Sequence, residues 1–533
     1  MGGDKGGMGG DRGSPASLVA GGGIAYALAV ATGLLVFLAF PSLDIWPLAF
    51  IAYVPLIVAL DGQRPRRALG LGFAAGMVMN VCGLHWLFPT IRQFSGLPAP
   101  VCALLAFLVA AYQALPVGLL GWLYARAQQR HWPKPASLLA AFVASEFAYP
   151  LVFPWTFGAC AHCVPALMQW AELGGPYLVG LVLLAPSLAL GHAVVRRLRR
   201  EPIRRGAVAL GLGIPLAAAL IGQVQIWHID RRLGAAPRVH VGVAQANLDA
   251  PSLQERVERV NRELRVTDEL RRKGADFVVW TETVVLGVPA DAAEAYLQTF
   301  FSRRLGVPTV IGAVLVRGEG RERHLLNSVL ATQADGRLTG HYEKHLLFPV
   351  GERLPLFDTF PGLYRWLPGA INFAPGTSFA PLIVAGHPVT VFVCYEDVFP
   401  GFVNEAVGAA SPEMLVNLTN DAWFGDSSEP WMHLALAQFR AVEHRRYLVR
   451  ATNSGVSAIV DPTGKVVVQG ETFREQAVDG VARWVKGPRT AYEVWGDAPW
   501  WVLTVAAGVM AVRRRRGRSA VGRPKADAGA AIT

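Results

Sequence analysis

Charge is scarce in this 533-residue chain: 17% of its residues are Asp, Glu, Lys or Arg, against 52% hydrophobic. That balance, at this length, excludes one ordinary soluble domain and points to membrane insertion. Cysteine is scarce too. Cys82, Cys102, Cys160, Cys163 and Cys394 make no disulfide framework in a chain that builds its stability from burial, and any pairing leaves one thiol over. A single basic patch is also missing. The net charge of +11 comes from Lys and Arg in short runs between apolar segments, which argues against a nucleic-acid partner. No small-residue cleavage site leading into polar sequence follows the first apolar run, so that run is expected to stay uncleaved.

What is present is a series of apolar segments. Residues 1–16, rich in Gly, read as a flexible tail. Apolar runs follow at 22–40, 46–60, 69–90, 99–125, 136–153, 164–195 and 206–226, with an eighth at 498–512. Most approach the roughly 20 residues that a helix needs to cross a bilayer, and the second and eighth are short. Alternate loops are basic: Arg64, Arg66 and Arg67; Arg126, Arg130 and Lys134; Arg196, Arg197, Arg199, Arg200, Arg204 and Arg205; Arg513 to Arg516. The loops between hold only Arg92. Short cytoplasmic loops carry the excess of Lys and Arg. The expected domains are therefore a membrane part at 17–226 with seven helices, an outward-facing domain at 227–496, an eighth helix at 497–512, and a basic cytoplasmic tail at 513–533. Both termini are then cytoplasmic, and in a bacterium the outward domain is periplasmic. The Arg513 to Arg516 run reads as a topology anchor on anionic headgroups.

The polar segment has another grammar, with short β-branched runs separated by turn signals and amphipathic stretches. Strands are expected at Val239–Ala244, Phe277–Trp280, Thr309–Val316, Ser328–Thr332, Val389–Val393, Met414–Thr419 and Val456–Val460. Helical patterns lie at Leu253–Arg272, Ala292–Leu305 and Trp431–Arg446, and Asp335-Gly336 and Asp461-Pro462-Thr463-Gly464 read as hairpin turns. An α/β layered domain follows. Three polar residues close or follow apolar runs in it: Glu282 after Phe277-Val278-Val279-Trp280-Thr281, Lys344 after Tyr342-Glu343, and Cys394 after Val389 to Val393. Ligands of α/β sheets collect beyond the carboxyl ends of strands, so Glu282 and Cys394 are expected to converge there. Singly, each has a plain alternative: a solvated Glu, a surface Lys, an inert buried Cys.

Together they resemble the Glu-Lys-Cys triads of the nitrilase superfamily, in the same chain order. The resemblance is closer to the apolipoprotein N-acyltransferase family and extends over nearly the whole chain. It rests on Phe40-Pro41, Asp44-Ile45-Trp46-Pro47, Ser145-Glu146-Phe147 and Phe153-Pro154-Trp155 in the apolar part. In the polar part it rests on Trp280-Thr281-Glu282, the segment from Lys344 to Glu352, Cys394-Tyr395-Glu396, Asn420-Asp421-Ala422-Trp423-Phe424-Gly425 and Thr452-Asn453-Ser454-Gly455. It departs from the family where Thr281 replaces a usual proline, where Phe348-Pro349-Val350-Gly351-Glu352 replaces Val-Pro-Phe-Gly-Glu, and where residues 247–257 lack a tryptophan often found there.

The resemblance implies a polytopic α-helical membrane protein carrying an inserted α/β nitrilase-like domain, an αββα sandwich, in the bacterial inner membrane. It implies transfer of an acyl chain from the sn-1 position of a phospholipid, usually phosphatidylethanolamine, to the α-amino group of the N-terminal diacylglyceryl-cysteine of an apolipoprotein, with no cofactor and no metal. Cys394 would be nucleophile, Glu282 general base and Lys344 oxyanion partner. Glu352, Tyr395 and Glu396 match residues near the family's triad, the carboxylates orienting Lys344 and the amine. Trp423 and Phe424 are candidates for the acyl channel, with ordinary core as the alternative.

Other candidates carry less. Cys160-Ala161-His162-Cys163 has metal or redox spacing but no second pair, which argues against zinc. His433 and His444, near Glu443, read as helix-surface packing, and Asp358 and Asp421 as turn or cap residues without a partner. Two rival classes remain, a membrane-tethered amidase or nitrile hydrolase using the same triad, and a transport or scaffold protein that only binds. Seven N-terminal helices favour a lipid substrate over a tether, and the complete triad argues against binding alone.

Overall fold

The computed structural model describes residues 22–41, 43–248, 252–319, 323–349, 351–353 and 372–515. Each of the eight apolar segments contains helix, but their lengths differ from the sequence reading. Gly22–Ala39, Ala99–Gln129, Ala171–Leu198 and Arg205–Gly234 are long and apolar enough to cross a membrane. Pro65–Gly83 and Leu87–Gln93 are long and apolar enough only when taken together, as a pair bent by 58°. Trp46–Leu60, Lys134–Phe147 and Ala498–Val512 are shorter. At 1.5 Å per residue, fifteen residues rise only about 22 Å, less than the hydrocarbon thickness of about 30 Å. Small residues let the helices touch. A Cβ on Gly72 would lie 2.1 Å from Val117 O and one on Gly121 2.3 Å from Ala68 O, so Pro65–Gly83 and Ala99–Gln129 meet backbone to backbone.

The basic loops gather on one side of these helices. Buried Asp61 accepts from Arg199 Nε at 2.8 Å and also binds Lys134. Arg515 N donates to Arg130 O at 3.0 Å, and Trp132 Nε1 to Arg513 O at 2.9 Å. Four loops spread between residues 61 and 515 are thereby tied together.

The polar segment folds as two sheets. The first holds β1 (Arg238–Gln245), β2 (Phe277–Val279), β3 (Val285–Pro289), β4 (Thr309–Arg317), β5 (His324–Thr332) and β6 (Leu338–Glu343). The second holds β7 (Leu382–Val384), β8 (His387–Val393), β9 (Met414–Thr419), β10 (Leu448–Thr452), β11 (Ala458–Val460) and β12 (Val466–Gln469). A last strand, β13 (Gln476–Arg483), returns to the first sheet beside β1. The orders are β13-β1-β2-β4-β5-β6, with β3 also on β4, and β12-β11-β10-β9-β8-β7. β1, β2 and β4 run parallel, as do β8, β9 and β10. Gly336 and Gly464, both at positive φ, turn the β5–β6 and β11–β12 hairpins as their sequence signals imply.

The two-residue period of the strands builds three apolar layers. Val389, Val391 and Val393 of β8 share the buried layer between the sheets with Val241 and Val243 of β1. Phe392 and Leu415 point the other way, onto Pro400–Ala410 and Glu429–His444. Trp280, Ile311 and Leu330 pack against Leu253–Arg272 and Ala293–Phe301. The expected αββα sandwich is what forms. Helix Glu429–His444 also joins the two halves of the protein. Leu434, Ala437 and Ala441 face the sheet, whereas Phe439 and Val442 enter the core of the apolar half beside Leu167 and Met168. Arg445, just past its end, donates to Glu172 Oε2 at 2.9 Å and Gln169 Oε1 at 2.7 Å.

Candidate active site

Cys394 leaves β8 in the left-handed region, φ +54, where a side chain other than glycine is strained. Two contacts hold it there. Asn417 Nδ2 donates to Cys394 O at 2.8 Å, and the Glu396 carboxylate accepts from Val393 N at 2.7 Å. Glu396 also accepts from Tyr342 OH at 2.9 Å, His345 N at 2.7 Å and Leu346 N at 3.0 Å. It therefore binds the end of β8 to the turn after β6 and fixes Cys394 relative to Lys344. Glu396 is itself fully buried.

Glu282 is set by a second braced turn. Trp280 Nε1 donates to Thr267 Oγ1 at 2.8 Å, Thr281 Oγ1 donates to Glu263 at 3.0 Å, and Arg259 Nη2 donates to Thr281 Oγ1 at 3.1 Å and Glu282 O at 2.8 Å. The threonine that replaces a proline is thus a member of a buried polar chain. Gly312 lies beneath, with no room for a side chain: a Cβ there would be 2.1 Å from Thr281 O and 2.8 Å from Glu282 Cα. Asn327 Nδ2, from the middle of β5, donates to Glu282 Oε1 and Glu352 Oε1, both at 2.7 Å. Lys344 Nζ lies 2.9 Å from Glu352 and 3.4 Å from Glu282. Glu352 also accepts from Phe348 N at 2.7 Å. The departure in the loop from Phe348 to Glu352 leaves this carboxylate in contact with Lys344; Val350 itself lies outside the described residues.

Burial sets the electrostatics. It raises the Glu282 pKa above the ordinary carboxylate range, with Lys344 opposing and Glu352 adding to the rise. Burial alone would lower Lys344, but Glu282 and Glu352 outweigh it and hold the ammonium well above its usual value. Cys394 is raised by burial and by Glu282, with Lys344 opposing, so the resting group is a thiol. Glu396 is pushed up to about 7 by burial, against Lys344 and its backbone donors.

Glu282, Lys344 and Cys394 line one cavity of about 270 Å³, together with Glu352 and Tyr395. Tyr395 donates to Leu347 O at 2.8 Å, and its ring lies 5.7 Å from Lys344 Nζ. Trp423 and Phe424 lie on the short helix Asp421–Phe424 and wall the same cavity with Phe348 and Phe153. Phe153 comes from the apolar half. Phe424 meets Trp86 edge-on at 5.1 Å, and Trp86 meets Phe153 at 5.1 Å, so the aromatic wall continues between the membrane helices.

Behind Cys394 is a charged cluster that the sequence reading missed. Arg450, wholly buried on β10, binds Asp397 and Asp421, each at 3.1 Å, and Asn417 Oδ1 at 2.9 Å. His433 lies 2.9 Å from Asp397 and 3.3 Å from Asp421. Asp421 therefore has partners, contrary to the sequence reading, and Arg450 with His433 holds it below its usual pKa although burial acts to raise it. His433 is not helix-surface packing, and neither is His444, which is buried 3.1 Å from Glu493. Glu443 is buried 2.7 Å from Arg440. Asn453 Nδ2 donates to Asn420 Oδ1 at 3.1 Å, which brings two of the motif segments together. Asp358 lies outside the described residues. Cys160 is buried and Cys163 exposed, both as free thiols.

A thiol, a buried carboxylate and an ammonium gathered at the strand ends of an αββα sandwich are the features of a carbon-nitrogen hydrolase-type domain, here joined to apolar helices. The model of that name, Carbon-nitrogen hydrolase, matches residues 240–480, and the Apolipoprotein N-acyltransferase N-terminal domain matches residues 32–189. Over 519 residues the chain is 30% identical to an apolipoprotein N-acyltransferase of Geobacter metallireducens, covering 93% of this chain and 96% of that one. It is 32% identical to one of Azotobacter vinelandii, covering 94% and 97%. Among solved structures, the Nit3 protein of Saccharomyces cerevisiae, a nitrilase-superfamily member, is similar over 49% of this chain and 95% of its own, with 15% identity and a TM-score of 0.36. The chain belongs to the apolipoprotein N-acyltransferase family.

Proposed function

We propose that the protein moves a fatty acyl chain from the sn-1 position of a phospholipid, phosphatidylethanolamine in the first instance, to the α-amino group of an apolipoprotein's N-terminal diacylglyceryl-cysteine. The observation that carries this is the cavity itself. Glu282, Lys344 and Cys394 share it with an aromatic wall that runs on between apolar helices, where an acyl chain is at home.

In the first half-reaction Glu282 takes the Cys394 proton as sulfur attacks the ester carbonyl. A raised carboxylate pKa suits this task, because the thiol is itself held protonated by burial. The tetrahedral oxyanion lies against the Lys344 ammonium. The C–O bond then breaks, the lysophospholipid alkoxide takes the proton back from Glu282, and a thioester remains on Cys394. In the second half-reaction the amine attacks the thioester carbonyl, Glu282 accepts the amine proton, and the C–S bond breaks. That proton returns to the Cys394 sulfur, which restores the enzyme. Glu352 and Asn327 hold Lys344 and Glu282, Glu396 and Tyr395 hold the turns that carry them, and Trp423 and Phe424 keep water from the thioester.

In this reading the enzyme is multi-pass in the bacterial inner membrane, with both termini cytoplasmic and residues 227–496 periplasmic. The contacts among the basic loops support it, since all four then face the same, positively charged side. The test supplies phospholipid labelled in the sn-1 chain and a diacylglyceryl-cysteine peptide. Labelled N-acyl peptide is expected from the wild type and none from Cys394→Ala. Release of the label as free fatty acid despite available peptide would instead support a membrane-tethered hydrolase.

A further inference from the structure

Outside the acyl-transfer cavity, three side chains with no part in that reaction converge on one atom. Asp44 lies in the turn after Gly22–Ala39, and His162 and Cys163 follow the short helix Phe157–Ala161. His162 Nε2 is 2.7 Å from Asp44 Oδ1 and 3.2 Å from Cys163 Sγ. The other ring nitrogen, Nδ1, is 3.2 Å from Gln438 Oε1. Gln438 is oriented by its own bond, Nε2 donating to Gly464 O at 3.0 Å, so its oxygen is the atom turned to the ring. Nδ1 therefore carries the proton, and Nε2 faces a carboxylate oxygen and a sulfur.

A carboxylate oxygen, a ring nitrogen and a sulfur this close are held together either by protons on the ring and the thiol or by a cation among them. A proton bridges one pair of these atoms at a time, whereas a metal ion accepts from all three. A histidine that ligates through one nitrogen while donating its other N–H to an oxygen is the usual arrangement at protein metal centres. The ligating atoms already lie within 4.8 Å of one another. Metal–ligand bonds of about 2.0 to 2.3 Å, set tetrahedrally, need them roughly 3 to 4 Å apart, a small adjustment.

We propose that Asp44, His162 and Cys163 form a binding site for a divalent d-block ion. Zn²⁺ is the best match to a thiolate, an imidazole and a carboxylate. Cys163 gives its thiol proton to solvent as the metal binds. A fourth position opens into the adjoining cavity bordered by Trp431 and Lys465, where water completes the shell. Cys160, its partner in sequence spacing, takes no part because it is buried in the apolar core. The site would join two loops of the apolar half, through Gln438, to the helix that carries His433.

The experiment uses full-length protein in detergent, loaded with zinc or cobalt(II) and dialysed. One zinc per chain is expected for the wild type and for Cys394→Ala, which leaves the active-site thiol out of the count. Cys163→Ser, at an exposed position that leaves the fold intact, should weaken binding at least tenfold and abolish the sulfur-to-cobalt charge-transfer band. Gln438→Leu should weaken binding by about 10- to 100-fold while keeping that band. Absence of stoichiometric zinc from the wild type, or a cobalt band that survives Cys163→Ser, would overturn the proposal.

Discussion

Glu352→Gln isolates the electrostatic work done around Glu282. The Glu282 and Glu352 Oε1 atoms each lie 2.7 Å from the same Asn327 nitrogen, so they are no more than about 5.4 Å apart, twice that distance. At an effective dielectric constant of about 20, two unit charges at that separation repel by ~3 kcal/mol, equivalent to about two pH units in a titration. Removing the Glu352 charge while keeping its shape therefore lowers the Glu282 pKa. The base must be ionised to act, so thioester formation rises with pH through that pKa, and the rise moves about two units toward acid in the variant. A weaker base also accepts the thiol proton less readily, so the plateau rate should fall about tenfold or more. The assay is single-turnover acylation of Cys394 by labelled phospholipid across pH. A limb that stays in place, or moves toward alkali, would refute the idea that Glu352 raises Glu282.

Two further substitutions test the braces. Arg450→Met leaves Asp397 and Asp421 with His433 alone against two buried carboxylates, and removing one member of a buried ion pair costs about 3–5 kcal/mol. A large fall in the thermal midpoint of the detergent-solubilised protein is expected, partly restored by adding Asp421→Asn, and an unchanged midpoint would contradict the reading. Gly312→Ala forces a Cβ against Thr281 O and Glu282 Cα, overpacking worth about 1–3 kcal/mol. Acylation should slow even where the protein still folds, and a wild-type rate would show that the backbone of Glu282 need not be held so closely.

The three residues proposed to react were legible as candidates because each stands beside an apolar run that ends in a turn. Cys394 directly follows β8, Lys344 directly follows β6, and Glu282 lies three residues beyond β2. Glu352, Tyr395 and Glu396 could be named beside them from the resemblance, but the buried polar residues Asn327 and Arg450 could not. Asn327 and Arg450 are buried polar residues within mainly apolar strands, and the hydrogen bonds that make such burial tolerable come from residues distant in sequence. Missing β10 altogether hid Arg450. Asp421 was read as a cap without a partner and His433 as helix-surface packing for the same reason, since Arg450 and Asp397 reach them only through the packing of β9, β10 and Glu429–His444. The apolar segments were located well, but hydropathy does not mark where a helix breaks, as the 58° bend after Gly83 shows.

The central claim is that Cys394 holds an acyl group between donor and acceptor. Incubating the enzyme with phospholipid carrying a labelled sn-1 chain, without acceptor, and then mapping the label by mass spectrometry tests it directly. A hydroxylamine-sensitive acyl group on the Cys394 peptide, absent in Cys394→Ala and discharged onto a diacylglyceryl-cysteine peptide when that is added, is the predicted result. Active wild-type enzyme that never carries a label on Cys394 would contradict the account.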